Sequence, residues 1–202
     1  IMDNANTADE SIDDLGQDRE ELKKIGQLLA NVSQEFKGWQ VKVAESHEQG
    51  AEVAAEFSSV EKQLSFLGVQ TATRTLLSRI TEVAFHYRIP NSQPGDAEIH
   101  LSHTGTFSRT GIKTVVKRGG PNAQAIADQL TADKTFNTAF FPLDSKHFHL
   151  IQDEQGWLVK TGQMGAAWLA IKFPPTRKYI PMGADQTETL ISCFMTLNKV
   201  LS

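Results

Sequence analysis

The stretch from Glu82 to Ile89 constrains the fold more than any other part of the chain. Val83, Phe85, Tyr87 and Ile89 are apolar, and Glu82, Ala84, His86 and Arg88 fall between them. A two-residue period of this kind predicts a strand with one buried face and one solvated face. The connector that follows, Pro90-Asn-Ser-Gln-Pro-Gly95, is far too short for a parallel crossover, so the next strand has to run antiparallel.

The same logic extends in both directions. Ile99 and Leu101, interleaved with Glu98, His100 and Ser102, predict a second strand, and a third is expected from Gly111 to Lys117. Gly119-Gly120-Pro121 breaks the chain, and Ala123 to Leu130 has helical spacing with Pro121 suited to a first turn. Residues 80–132 thus read β-β-β-α. Further on, Phe136 to Phe141 reads as a strand closed by Pro142, and Phe148 with Leu150 marks another. Asp153-Glu-Gln-Gly156 is a hairpin turn into Trp157–Lys160, and Gly162 with Gly165 brackets a turn into Ala166–Phe173. After Pro174-Pro175 and Pro181, Asp185 and Glu188 form a capping box for a last helix carrying Leu190, Phe194, Leu197 and Leu201. Residues 135–202 thus read β-β-β-β-α.

Upstream, Asp18 and Glu21 have N-cap and N3 spacing, and Leu22, Ile25, Leu29, Val32 and Phe36 form one apolar stripe that Gly38 ends. Trp39 to Ala44 alternates as a short strand. Ser46 and Gln49 repeat the capping-box spacing before a second helical stripe of Val53, Phe57, Val60, Leu64 and Leu67, while residues 69–79 mix strand and helix signals. The expectation is an α+β chain. It has an antiparallel sheet of about seven strands in two β-β-β(-β)-α units, helices on one face, and two N-terminal helices in front. The expected divisions are a flexible acidic tail over 1–17, a helical region over 18–79 and the antiparallel body over 80–202.

Charge supports the first of those divisions. The formal net charge is −4, but residues 1–22 carry eight carboxylates against Arg19 alone, leaving nineteen basic and sixteen acidic residues in the rest. With so few apolar side chains, residues 1–16 cannot offset the entropy of ordering. One cysteine excludes an internal disulfide. No run of about 18 apolar residues suggests a membrane span, and the acidic start is unlike a secretory signal, so a cytoplasmic location is expected.

Candidate chemistry is sparse. His147 and His149 lie two apart on a predicted strand, so both point to one face about 6.6 Å apart, a spacing at which two imidazoles can share a metal. His86 and His100 could add ligands if their strands were neighbours, whereas His103 should face away from His100. No metal is assigned, because no complete ligand set and no metal or cofactor motif is present. Cys193 falls among apolar residues of the last helix, where burial disfavours the thiolate. Asp153 and Glu154 sit in a turn, a poor setting for a general acid. Two acid-free stretches carry Arg109, Lys113, Lys117 and Arg118, and then Lys160, Lys172, Arg177 and Lys178. Lys117-Arg118 and Arg177-Lys178 each precede a helix, an arrangement that favours an anion. The pI near 5.9 weighs against nucleic acid. Phe136, Phe140, Phe141, Phe148, Trp157 and Trp168 would serve equally as core or as an apolar pocket.

The leading expectation is a non-enzymatic binding or protein-interaction module meeting a protein partner through the N-terminal helix. One alternative is a metal-dependent hydrolase centred on His147 and His149. Another is recognition of a small anionic or phosphorylated ligand by Lys113, Lys117, Arg118, Arg177 and Lys178.

Overall fold

A computed structural model describes residues 25–105 and 108–202. The sequence-predicted tail and the Asp18–Glu21 cap lie outside those residues. Helix α1 (Gly26–Glu35) is followed by strands β1 (Gln40–Ala44), β2 (Ala51–Ser59), β3 (Leu64–Arg74), β4 (Ser78–Arg88), β5 (Ala97–Thr104) and β6 (Gly111–Arg118). Helices α2 (Gly120–Ala132) and α3 (Lys134–Phe140) come next, then β7 (Ser145–Asp153), β8 (Gly156–Lys172), β9 (Pro175–Ile180) and helix α4 (Ala184–Leu201). The described strands form one antiparallel sheet in the order β1-β2-β3-β4-β8-β7-β5-β6, with β9 paired to the far end of β8. The α+β antiparallel expectation therefore holds, with nine strands among the described residues.

The helices share one side of the sheet. Phe57, Phe66, Phe85, Tyr87, Ile99, Phe148, Leu150 and Val159 are all at most 3% exposed and project toward them. Phe194 of α4 packs on Phe66 and Tyr87 with ring centroids 5.3 and 4.9 Å apart. Of the expected stripe, Leu22 lies outside the described residues, and Ile25, Leu29, Val32 and Phe36 are buried in this same core. A partner meeting α1 would therefore meet its polar side. Glu35, near the end of α1, accepts hydrogen bonds from Tyr179 Oη, from the Met182 amide (3.3 Å) and from the Gly183 amide (2.8 Å). It ties α1 to the residues that lead into α4.

Four expectations need correction. The second N-terminal helix is instead the β2–β3 hairpin, in which Phe57 faces Phe66 and Val60 lies 86% exposed near the turn. Its four-residue spacing misled because four is a multiple of two, so Val53 and Phe57 share a face in a strand as well as in a helix. The same ambiguity hid α3, expected as a strand: Phe136 and Phe140 are both buried, and Asp133 caps the helix by accepting from the Phe136 amide at 2.8 Å. The turn expected at Gly162–Gly165 is a bulge within one 17-residue strand, β8. Against β4, the partners jump from Ala84↔Gly162 to Glu82↔Ala167, with Ala166 at φ 56. Finally, the chain does break at Pro174-Pro175, but the residues after it, expected only to lead into the last helix, form strand β9, which returns along β8.

Candidate functional site

Strand alternation that buries Phe85, Tyr87, Phe148 and Leu150 sends their neighbours to the opposite side, which no described helix covers. There the register lines up one cross-strand row. Leu67 of β3 faces His86 of β4, His86 faces Lys160 of β8, Lys160 faces His149 of β7, and His149 faces His100 of β5. The histidines singled out from the sequence thus converge, because β8 and β7 insert between β4 and β5. His100 and His149 stack with centroids 3.7 Å apart and planes 12° from parallel. His147 lies 5.2 Å from His149 and sits over the backbone of Gly162, where a Cβ would fall 2.4 Å from its ring. His103 faces the helices as expected, stacked on Phe140 and bonded to the Phe140 carbonyl at 3.1 Å.

Burial, with Lys160 beside it, pushes His86 down to about 4. Burial, with His100 and His147 beside it, does the same to His149. His147 is lowered too, again chiefly by burial. These three imidazoles are neutral at pH 7 and keep acceptor nitrogens. Among the described residues, however, no group of three or more His, Cys, Asp or Glu is arranged to hold a metal.

Four cations on this side are held by carboxylates. Lys160 donates to Glu48 at 2.5 Å, and Arg88 forks onto Asp153 at 2.7 and 3.0 Å. Lys146 pairs with Glu82, and Arg118 reaches Asp96 (2.5 Å) and Glu98 (3.3 Å). Lys160 and Arg88 hold Glu48 and Asp153 respectively below the usual carboxylate range. Glu98 is lowered mainly by the hydrogen bond from His100.

The Glu48–Lys160 bond brings the 45–50 connection over the end of the row and closes one side of a groove of about 490 Å³. Leu67 and Leu158 form its apolar floor, with His86 and Arg88 beside them. Glu45 and Glu56 also line it, so beyond the Glu48–Lys160 and Arg88–Asp153 ion pairs two further carboxylates face the groove. Sequence reasoning missed this groove because residues 46–67 read as a helix, which would have kept Glu48 and Glu56 away from His86.

The other candidates are dispersed. Lys113, Lys117 and Arg118 lie on the edge strand β6, whereas Arg177 and Lys178 lie on β9, which among the described residues pairs only with β8. Arg177 and Lys178 are consecutive strand residues and point to opposite sides. Arg109 bonds the Phe141 carbonyl (2.9 Å) and Asp144. Phe136, Phe140, Phe148 and Trp157 are core, Phe141 is exposed, and Trp168 is half-buried. Cys193 is buried, and burial pushes its thiol up. No described helix is long and apolar enough to cross a membrane.

Comparison with known proteins adds a family without a function. A family model described as "Protein of unknown function (DUF3156)" matches residues 34–201, and the chain belongs to that family. No curated protein and no solved structure matches it.

Proposed function

We propose that this member of the family is a non-enzymatic protein-interaction module whose uncovered sheet face seats a basic side chain of its partner. The carrying observation is the charge of the groove: Glu48 is taken by Lys160 and Arg88 by Asp153, which leaves Glu45 and Glu56 lining it. Leu67 and Leu158 offer contact for the aliphatic stem of a lysine or arginine, whose charged head would reach the glutamates. The neutral imidazole of His86 in its wall adds hydrogen-bonding capacity without positive charge, so it does not offset that attraction.

The reading is tested by fluorescence anisotropy with a labelled lysine-rich peptide and its glutamate counterpart. The lysine peptide is expected to bind and the glutamate peptide not to. Glu45→Gln with Glu56→Gln should weaken binding about tenfold, as expected for loss of charge-assisted contacts worth about 1.4 kcal/mol together. Equal binding of both peptides, or none, overturns it.

A metal-dependent hydrolase centred on His147 and His149 is the second reading; His100 stacks on His149, but the three rings as they stand are not arranged to hold an ion, so a metal would have to reorient them. Metal analysis of protein purified without an affinity tag tests it. Stoichiometric zinc, manganese, iron or nickel supports it, and trace amounts end it.

A further inference from the structure

On the helix side, where the sheet runs past the start of α1, a second cross-strand row carries charge of one sign. Arg74 of β3 faces Arg79 of β4, Arg79 faces Ala170 of β8, and Ala170 faces Arg177 of β9. Direct cross-strand partners point to the same side, and like charges placed so oppose one another. The small Ala170 leaves a gap between two guanidinium-bearing positions, and that gap is the floor of a cavity of about 380 Å³. Thr81, Trp168 and Gln70 also line it, and Gln27 and Leu28 of α1 border it.

Two observations give the cavity a chemistry. Arg79 Nε and Trp168 Nε1 are buried and have no hydrogen-bond partner among the described residues. Both are donors without acceptor capacity, and leaving a buried donor unpaired is costly. In addition, Arg177 lies over the Trp168 ring, 4.7 Å from its centroid, which fixes a second guanidinium at the rim. Among the described residues, the one carboxylate in an ion pair with any of the three arginines is Glu52. It takes the Arg79 Nη2 at 2.8 Å and leaves Nε unpartnered.

We propose that this cavity binds the phosphate group of a small phosphomonoester, its oxygens accepting from Arg79 Nε, Trp168 Nε1 and the Arg177 guanidinium. A phosphate supplies several acceptor oxygens on one centre, matching donors from three strands, and it relieves the repulsion along the arginine row. The site is separate from the groove on the opposite face and does not depend on the reading given to that groove.

Titration with inorganic phosphate and with glycerol phosphate, at fixed ionic strength in chloride, tests the proposal through tryptophan fluorescence and calorimetry. Saturable binding is expected, with a fluorescence change that Trp168→Phe abolishes. Arg177→Gln, at an exposed position that leaves the core untouched, should weaken binding at least tenfold. Lys178→Gln removes the same charge from the same strand on the opposite side and should change it less than twofold. Absence of saturable binding by either ligand overturns the proposal. So does binding that Arg177→Gln and Lys178→Gln weaken equally, since that reports surface charge alone.

Discussion

His100 and His149 are direct cross-strand partners whose rings stack 3.7 Å apart. His149 is half-buried, with His100, His147 and Lys160 beside it, and these together disfavour its charged form. His86 and His149 both titrate near 4 in the folded chain, against an ordinary value of 6.5. Between those values the unfolded chain binds more protons, so stability rises with pH across that window and falls on acidification from about 6.5 to 4. Glu48, Glu98 and Asp153 are held below their ordinary values and withdraw their own contribution only below about 4.5. Urea unfolding at pH 7, 6 and 5 should show this fall, and His86→Gln with His149→Gln should flatten it. An equally steep fall in the double variant assigns the effect to other groups.

Gly162 is required by its neighbour. An added Cβ would meet the His147 ring at 2.4 Å, so Gly162→Ala should cost about 1–3 kcal/mol in urea unfolding. His147→Ala in the same chain should recover most of that loss, a coupling on the order of 1 kcal/mol. Strict additivity of the two changes would show that the ring yields freely.

Glu35 accepts from Tyr179 and from the Met182 and Gly183 amides, joining the first helix to the approach of the last. Glu35→Ala is expected to lower stability by about 2–3 kcal/mol, because the amides lose a charged acceptor. Tyr179→Phe should cost less, since it removes one donor and leaves both amide bonds. The order of the two unfolding midpoints checks the assignment.

Cys193 is 0% exposed in α4, where burial raises its thiol. A thiol-specific reagent at pH 8 should leave native protein unlabelled and label one equivalent in denaturant. Rapid labelling of native protein would contradict the packing of α4.

Much of the fold is legible in residue spacing, and the errors share a cause. Where apolar residues alternate at steps of two, as in Val83–Ile89 and Ile99–Leu101, period alone identifies the strands and their buried faces. Where they stand four apart, as in Val53–Phe57 and Phe136–Phe140, helix and strand satisfy the pattern equally. Only the partner strand or the Asp133 cap decides between them. The histidines were visible as residues, but their convergence depends on β7 and β8 inserting between β4 and β5, which is strand order and leaves no local trace. The arginine row was hidden for the same reason. Arg177 stood out in the sequence beside Lys178, yet its structural neighbour across Ala170 is Arg79, nearly a hundred residues earlier.

In the proposed interaction, the groove beneath the 45–50 connection receives a basic side chain. The most direct test is amide chemical-shift mapping of the labelled protein during titration with a lysine-rich peptide. Saturable shifts confined to Glu45–Glu48, Glu56, Leu67, His86 and Leu158 are expected, with the amides of α4 unmoved. Shifts centred on α1 or α4, with the groove silent, would contradict it.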